Sequence, residues 1–569
     1  MNKDTSAPFD AIVVGSGISG GWAAKELCER GLKTLILERG KDVEHGTDYI
    51  GENLDPWEMK FRDSVDRKLA DSQYPEQKKC YAFKDSTKHF FVNDNDHPYT
   101  TDEDKPFSWI RGFHLGGRSL TWHRQSYRLS EMDFQSNLKD GHGIDWPIRY
   151  GDVEKWYDHV ETFAGISGNR DGLPHLPDGQ FQPPIDLNCV ETELQKRFAK
   201  TYDDRHLIIG RCAHLTEPTE EQLDLGRGRC QSRNQCQRGC SFGAYFSSQS
   251  ATLPAAERTG NLTTLTDAIV HSVIYDPKTG KATGVRVINR LTKEHTEYKA
   301  RVIFLCASTL GTTQLMLNST SEAFPNGFAN SSGALGHYLM DHTSGAGAYG
   351  RMDGFDDQYY HGRRPTGIYI PRFRNLDNNK LDFLRGYGFQ GGARRLSWRG
   401  TTRRPGLGAE FKDAIQKPGP WMFHIGAFGE MLPEYSNSIS LDAHNTDKWG
   451  IPIPHMSCVY GNNEEKMRED ILKTSEEMLT SLGLKDVTTY NVKGAPGIAI
   501  HEMGTARMGR DSKTSVLNSH NQCHDAPNVF VTDGSCMTSS ACQNPSLTYM
   551  ALTARAASYA VEQMQTGAL

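Results

Sequence analysis

The sequence contains no long hydrophobic run. A membrane-spanning helix needs roughly 20 consecutive apolar residues, whereas a typical apolar stretch here, Val302-Ile303-Phe304-Leu305, has only the length of a strand. We therefore expect no transmembrane segment. Residues 1–8 are polar and lack the apolar core of a signal peptide. The chain is thus expected in the cytoplasm, unless its signal has been removed or it is exported to the periplasm with a partner subunit that carries one.

Cysteine is also scarce, and the chain has no excess of positive charge. Twelve cysteines among 569 residues are too few for a disulfide scaffold. The formal net charge is -6 at pH 7, and no concentrated basic face is evident, which argues against a nucleic-acid-binding protein. With 24% charged and 37% hydrophobic residues, the composition is that of an ordinary globular protein, long enough for one large core or two to three domains.

What the sequence does contain is a strand–turn–helix–strand unit near its start. The apolar residues 11–14 predict a buried strand, and residues 34–37 predict a second one. Between them a G-x-G-x-x-G order occupies 15–20, followed by a predicted helix over about 19–30. This order is typical of a dinucleotide-binding unit.

Four residues of this unit have defined physical tasks. Gly15 and Gly17 allow the backbone to turn tightly and approach a pyrophosphate, and Gly20 allows the helix to pack closely on the strand. The helix N-terminus stabilises phosphate charge. Glu38 ends the second strand and is placed to accept a hydrogen bond from a ribose hydroxyl. The glycine pattern alone does not separate FAD from NAD.

Further elements follow from hydrophobic periodicity and turn residues. Residues 85–105 are rich in Asp, Asn, His and Thr and predict a surface excursion. Asp152 is a candidate cap for a helix near 146–161. Residues 391–408, which hold five arginines among glycines, predict a loop. The remaining predictions are strands at 262–275, 283–289 and 301–306, and helices around 314–317 and at 464–482 and 547–564.

Two motifs near the C-terminus complete a family pattern. They are H-E-M-G-T-A-R-M-G at 501–509 and Q-N-P-S-L-T at 543–548, separated by a predicted strand that ends at Asp533-Gly534. Together with the N-terminal glycines, the Gly116-Gly117 segment, the 146–152 segment and Met340-Asp341-His342, this layout resembles the glucose–methanol–choline (GMC) family of flavoprotein oxidoreductases. The resemblance spans nearly the whole chain.

The resemblance implies FAD rather than NAD as the cofactor. It also implies an α/β (α+β) fold in which a Rossmann-like FAD-binding domain carries an inserted sheet-and-helix substrate-binding domain. The FAD-binding parts would be 1–50, 109–130, 241–342 and 496–569, the substrate-domain parts 131–240 and 343–495, and 51–108 an excursion. The residues that would hold FAD are Gly15, Gly17, Gly20 and Glu38 at the ADP half, Val270 or Ile269 by its backbone at the adenine, Gly116, Gly117 and Ser119 near the flavin, and Asp533 with Gly534 near the pyrophosphate and ribityl chain.

In the family pattern His501 matches the catalytic histidine and Asn544 its partner. The chemistry of alcohol oxidation supports this pairing, because the hydroxyl proton must leave while hydride passes from carbon to flavin N5. A histidine with a pKa near 6.5 is suited to take that proton. Asn544 can hold the alcohol oxygen without competing as a base, and it would also lie near the flavin. The helix after Pro545 would direct its positive end at the reduced flavin.

Some sugar-oxidising family members attach FAD covalently through a histidine in the Gly-Gly segment. Here Thr121 stands where that histidine is expected. We therefore expect non-covalent FAD, unless His123 or His114 substitutes for it.

Three cysteines, Cys230, Cys236 and Cys240, fall within eleven residues. Thiolates at such spacing suit an iron–sulfur cluster, and the segment is similar to the cluster segment of FAD sugar dehydrogenase large subunits. The chain lacks one cysteine of that pattern, so the alternatives are a 3Fe–4S cluster or a loop with free thiols or one disulfide. With a cluster, electrons would pass to a cytochrome or similar partner. Without one, the flavin would reduce O2, a quinone or another small acceptor directly.

Within the family the chain looks closest to enzymes that oxidise the C3 hydroxyl of a pyranoside, with a sugar or glycoside as substrate and a small subunit as a candidate partner. The alternatives are a pyranose 2-oxidase, a hexose dehydrogenase acting at another carbon, and a flavin subunit that only relays electrons. An intact His501–Asn544 pair argues against pure relay, which needs no base. Four residues are candidate sugar contacts: Trp398, Trp421, His424 and Tyr435. For each of them, packing in the core is the alternative role.

Overall fold

The computed structural model describes residues 8–55, 57–358, 367–376, 381–396 and 406–569. Numbered along the chain, the strands are β1 (Phe9–Val14), β2 (Thr34–Leu37), β3 (Thr100–Thr101), β4 (Ile208–Ile209), β5 (Leu262–Leu265), β6 (Ala268–Asp276), β7 (Lys281–Asn289), β8 (His295–Leu305), β9 (His342–Thr343), β10 (Ala346–Met352), β11 (Ile368–Ile370), β12 (Tyr387–Arg395), β13 (Trp421–Glu430), β14 (Ser438–Thr446), β15 (Pro452–Ser457), β16 (Lys485–Asn491) and β17 (Val529–Val531).

The helices of the described chain connect and cover these strands. They are α1 (Ile18–Glu29), α2 (Arg67–Gln73), α3 (Glu131–Asp140), α4 (Tyr150–Ala164), α5 (Cys189–Thr201), α6 (Glu220–Asp224), α7 (Leu253–Arg258), α8 (Thr309–Asn318), α9 (Gly408–Gln416), α10 (Asn462–Ser481) and α11 (Ser546–Gln565). In the part of the chain that the structure describes, no helix is both long enough and apolar enough to cross a bilayer.

The first sheet contains the N-terminal unit. Its strand order is β5-β2-β1-β8-β7-β6, with β17 paired to β8. The pairs β5–β2, β2–β1, β1–β8 and β8–β17 are parallel, and helix α1 contacts both α7 and α11. Strands β1 and β2 are apolar and almost fully buried, as expected for a parallel sheet covered on both faces. The fold is therefore α/β, and the predicted strand–helix–strand unit is confirmed.

The second sheet is antiparallel and lies across the site from the first. Its order is β16-β10-β13-β12-β11-β4, with β9 paired to β13, and α10 packs on β10, β13 and β16. Apart from β4, these strands come from residues 342–491. A small third sheet contains β14, β15 and β3. The seven domain limits drawn from the sequence stay a prediction.

Several element predictions need correction. The strand over 262–275 is two strands, because the backbone at Asp267 adopts a φ of 56° and breaks the ladder after β5. Helix α4 begins two residues before Asp152, whose carboxylate instead accepts the backbone N–H of Arg149 at 2.7 Å. Residues 391–395 belong to β12 rather than to a loop.

The predicted surface excursion 85–105 is wrong at Phe90, Phe91 and Val92, which are buried. Their apolar side chains outweigh the polar composition of the segment, and Phe90 and Phe91 form a core cluster with Val43 and Ile110. Of the five arginines predicted in the 391–408 loop, three lie outside the described residues, as does the candidate sugar contact Trp398. These three are Arg399, Arg403 and Arg404.

Candidate active site

A cavity of about 530 Å³ runs from the N-terminal glycines to the second sheet. Most residues predicted for the cofactor and for catalysis line it. They are Gly15, Gly17, Glu38, Gly117, Ser119, Val270, His501, Asp533, Gly534 and Asn544. Of the other predicted residues, Gly20 and Gly116 support the wall from behind, and the three clustered cysteines are absent from the lining.

The glycine turn after β1 explains why each glycine is needed. Gly15 has a φ of 93°, and a Cβ there would lie 2.5 Å from the carbonyl oxygen of Cys306. A Cβ on Gly20 would lie 1.9 Å from the carbonyl oxygen of Gly15, so this glycine permits close packing of α1 on the turn. A Cβ on Gly17 would meet no atom within 4 Å. Gly17 therefore faces open cavity, where the backbone can approach a bound phosphate.

Glu38 is buried at the end of β2 and lies against the same turn. Its carboxylate accepts the N–H and the hydroxyl of Ser16, at 3.1 and 2.6 Å, and the N–H of Gly40 at 2.9 Å. Burial raises the pKa of Glu38, and these donors oppose the rise. The acid is thus held at the cavity wall, where a ribose hydroxyl would meet it.

The Gly116-Gly117 segment lies against the glycine turn. Gly116 and Gly117 both have positive φ, and a Cβ on Gly117 would lie 3.5 Å from the Cα of Gly17. The N–H of Gly116 donates to the Ser16 hydroxyl at 2.9 Å. Ser119 donates its hydroxyl to the Gly116 carbonyl and accepts from the backbone of Ser248. Ser119 therefore stabilises the turn, and the two glycine segments pack close together at the cavity wall.

Thr121 and His123 line the cavity, whereas His114 is absent from the lining. The expectation of non-covalent FAD stays a prediction.

Asp533 and Gly534 close a third side. The Asp533 carboxylate accepts the N–H and hydroxyl of Ser535 and the hydroxyl of Thr312. A Cβ on Gly534 would lie 2.4 Å from the Glu502 carbonyl oxygen. Burial raises the pKa of Asp533. The pair fixes the turn after β17 against α8 and against the segment that carries His501.

The far end of the cavity holds the two predicted catalytic side chains. The Nδ2 of Asn544 lies 3.3 Å from the Nε2 of His501. The Nδ1 of His501 lies 2.9 Å from the Nδ1 of His342, and Gln390 Nε2 lies 2.5 Å from Asn544 Oδ1. Helix α11 begins at Ser546, as predicted, and its cap position is Pro545. Asn544 is therefore not the N-cap residue of this helix.

The backbone around His501 is held by a buried carboxylate. Asp341 accepts the N–H groups of Gly497, Ala499 and His501 at 2.7, 3.1 and 3.1 Å. Between them Ile500 has a φ of 63°, which a β-branched residue adopts only under constraint. Burial and repulsion from Glu502 raise the pKa of Asp341 to about 7. This clamp fixes where the imidazole points.

Charge near His501 comes from an ion pair. Arg118 donates to both carboxylate oxygens of Glu502, at 3.0 and 2.8 Å. Burial, the neighbouring His342 and the Arg118 cation together hold the pKa of His501 well below 6.5. The imidazole is therefore neutral at neutral pH and available as a proton acceptor.

Two functional candidates escaped the sequence analysis. His342 stood in a motif used for the resemblance, and Gln390 carried no signal, because only the pairing of β12 with β13 brings it to the cavity. Among the proposed sugar contacts, His424 lines the cavity. Trp421 is buried in the core of the second sheet, and Tyr435 is an exposed side chain that stacks on His337 away from the lining.

The three clustered thiols are all free. Burial raises the pKa of Cys236 to about 12, which disfavours the thiolate that a metal requires. Among the described residues, no group of three or more His, Cys, Asp or Glu side chains is arranged to hold a metal ion. The iron–sulfur prediction thus finds no support in the structure.

Comparison with known proteins agrees with the α/β fold. Models of the GMC oxidoreductase family match residues 9–344 and 433–553. The 2-methyl-1,2-propanediol dehydrogenase of Mycolicibacterium austroafricanum is 28% identical over 97% of this chain and 94% of its own. The fructose dehydrogenase large subunit of Gluconobacter japonicus is 24% identical over 100% of both chains. The crystal structure of pyridoxine 4-oxidase from Mesorbium loti superposes with a TM-score of 0.58 at 16% identity, covering 97% of this chain and 98% of that one.

Proposed function

The chain belongs to the GMC oxidoreductase family, an FAD-dependent family that acts on alcohol groups, and from this premise we propose that it oxidises a secondary alcohol of a sugar or glycoside to a ketone. The C3 hydroxyl of a pyranoside is the proposed position, carried over from the resemblance to family members that oxidise that position. The observation that carries the proposal is the His501–Asn544 pair at the end of the cavity.

The pair offers a substrate hydroxyl one donor and one acceptor. An alcohol oxygen placed between them accepts from Asn544 Nδ2 and donates its proton to His501 Nε2. Because His501 is neutral, it can take that proton. The amide stabilises the negative charge that develops on oxygen as the proton leaves.

Bound FAD would supply the acceptor for the hydride that leaves the alcohol carbon. The open face of Gly17, the buried Glu38 and the cavity wall at Gly117 fit its phosphates, its ribose and the edge of its ring system. At Gly17 even a Cβ would project into this space, where it meets no protein atom within 4 Å. Asp533 and Gly534 would hold the ribityl side. We propose all of these residues, with the backbone of Val270 at the adenine, as the cofactor site.

The substrate wall belongs to the second sheet. Gln390, His424 and Tyr490 present polar groups to the cavity, and Gly391 and Gly426 leave room beside them. Such a wall, polar but open, suits a sugar ring better than an apolar chain. The two relatives named above act on a small diol and on fructose, so the size of the substrate is the first property to establish.

Anaerobic absorbance spectroscopy of the purified holoenzyme tests the proposal. Methyl glucoside, glucose, fructose and 2-methyl-1,2-propanediol are added separately, and bleaching of the visible flavin band reports oxidation. NMR of the product then assigns the carbon: C3 supports the proposal, whereas C2 or another carbon favours a pyranose 2-oxidase or another hexose dehydrogenase. If no alcohol bleaches the flavin, an electron-relay subunit is the better description.

The electron acceptor follows from a second assay. Reoxidation by O2 or a quinone would indicate direct transfer, whereas dependence on a cytochrome or a small subunit would indicate a complex. We propose the cytoplasm as its compartment, or the periplasm if such a partner carries it there.

A further inference from the structure

The catalytic pair is the middle of a longer chain of hydrogen bonds. Gln390 contacts Asn544, Asn544 contacts His501, and His501 contacts His342. The chain ends where His342 Nε2 lies 2.9 Å from the carbonyl oxygen of Ala541. His342 is fully buried. Neither Gln390 nor His342 has a task in the reaction as derived above.

The peptide carbonyl at the end fixes the direction of the chain. A carbonyl oxygen can only accept, so the Nε2 of His342 must carry a hydrogen. Burial lowers the pKa of His342 to about 4, so the ring is neutral and its Nδ1 has only a lone pair. The Nδ1 of His501 must then be the donor between the two rings. In neutral His501 this leaves the lone pair on Nε2, the atom nearest Asn544.

The same logic orients the two amides. Because the Nε2 of His501 accepts, Asn544 must present its NH2 group to it and turn its carbonyl oxygen towards Gln390. Gln390 must in turn donate its amide hydrogen. One carbonyl at Ala541 thereby determines the proton positions on four side chains.

We propose that His342 and Gln390 are positioning residues that impose this direction and keep the unprotonated Nε2 of His501 facing the substrate hydroxyl. The proposal rests on the proposed function, in which His501 is the base. A reversed chain would place a hydrogen on Nε2 and leave the base without a lone pair for the substrate. The charged groups around His501 act otherwise: Asp341 binds its backbone N–H, and Arg118 pairs with Glu502.

Substitutions at His342 separate direction from packing. In His342→Gln the amide can still accept from His501 and donate to Ala541, so the rate of flavin reduction by substrate should stay within about tenfold of the parent. In His342→Leu the acceptor is lost, and the rate should fall by roughly 100-fold or more, as expected when a catalytic histidine adopts the wrong tautomer. His159→Leu is the control. It removes a histidine that binds a buried carboxylate, Glu26, and should change stability alone.

Gln390→Glu provides a second test, which can be used even if His342→Leu folds poorly. As a carboxylate the new side chain can only accept, so it reverses Asn544 and favours a hydrogen on His501 Nε2. As a carboxylic acid it donates again and restores the parent direction. The rate should therefore rise as the pH falls towards the pKa of the new carboxyl group, which is about 4.3 for an unperturbed glutamate. The parent should show no such rise. His424 and Tyr490 are the other titratable groups on this wall.

The tautomer itself can be read without turnover. In protein with ¹⁵N-labelled histidine, a signal absent from a His501→Asn variant should carry its hydrogen on Nδ1 in the parent and on Nε2 in Gln390→Glu at high pH. Equal rates for His342→Gln and His342→Leu, or a parent-like pH profile for Gln390→Glu, would overturn the proposal. Failure of every alcohol to reduce the parent flavin would instead overturn the proposed function.

Discussion

The two ends of the cavity are built in different ways. The end of the cavity at residues 9–38, here called the nucleotide end, is lined largely by the backbone of one segment of the chain. Its glycines matter because they have no side chain. At the catalytic end, four side chains act, and they come from residues 342, 390, 501 and 544. The first end is local in the chain and depends on empty space. The second end is assembled from distant parts of the chain and depends on hydrogen bonds between side chains.

This difference predicts how each end fails. Substitutions at the nucleotide end should affect cofactor retention and folding while leaving the chemical step intact. Substitutions at the catalytic end should affect the chemical step while FAD stays bound. The following variants test that separation.

His501→Ala should have the largest effect. Loss of a general base lowers rates by roughly 10²- to 10⁴-fold, so flavin reduction by substrate should fall by that factor. The FAD content, measured by absorbance after gel filtration, should match the parent. Reduction at the parent rate would refute the assignment of the base.

Asn544→Ala should be the next most severe. Removing a donor that stabilises developing oxyanion charge lowers the rate by roughly 10²- to 10³-fold. Here a water molecule can replace part of the lost hydrogen bonding to the substrate oxygen. Stopped-flow flavin reduction at saturating substrate measures it. Asn544→Asp should be slower still than the alanine variant, because a carboxylate beside His501 favours the protonated ring. If the aspartate variant were faster, the amide would be acting as something other than a donor.

Gly17→Ala and Gly20→Ala form a matched pair at the other end. The methyl of Gly17→Ala meets no protein atom, so the protein should fold normally but lose about 1–3 kcal/mol of FAD affinity through overpacking of the bound cofactor. The methyl of Gly20→Ala would overlap the Gly15 carbonyl and should lower the melting temperature even without FAD. Thermal unfolding with and without added FAD distinguishes them. Equal behaviour of both variants would remove the claim that Gly17 faces the cofactor.

The pH dependence should report the lowered pKa of His501. A base with an ordinary histidine pKa would be half protonated at about pH 6.5. Because burial, His342 and Arg118 hold the pKa of His501 well below that value, the flavin-reduction rate should stay at its plateau through pH 6.5 and fall only at more acidic pH. In Arg118→Gln the fall should begin at higher pH, since the cation no longer opposes protonation. A fall centred at pH 6.5 in the parent would contradict the lowered pKa of the buried ring.

Serine substitutions of the cysteine cluster should have the smallest effect. Replacing Cys230, Cys236 and Cys240 together removes thiols that lie outside the cavity lining, so the FAD content and flavin-reduction rate should stay within about twofold, as is usual away from a site. Iron analysis of the parent protein provides the control. Iron in the parent that disappears in the variant would revive the cluster predicted from the spacing.

The sequence predicted the local structure of residues 9–38 almost completely. The glycines of 15–20, β1, β2 and Glu38 are neighbours in the chain, and local turn geometry determines their arrangement. His501 and Asn544 were found through motifs rather than through periodicity. Gln390 could not be found, because its position depends on the pairing of β12 with β13. The lowered pKa of His501 also could not be foreseen, since it results from burial among segments far apart in sequence.

The pairing of strand β8 also determines when the first sheet can be completed during synthesis. Residues 303–305 of β8 pair with β1 on one edge and with β17 on the other, and β17 lies more than 200 residues later in the chain. During synthesis, this edge of β8 remains unpaired until residue 531 has left the ribosome, and exposed strand edges promote aggregation. We therefore expect incomplete chains that lack β17 to aggregate more readily than the finished chain.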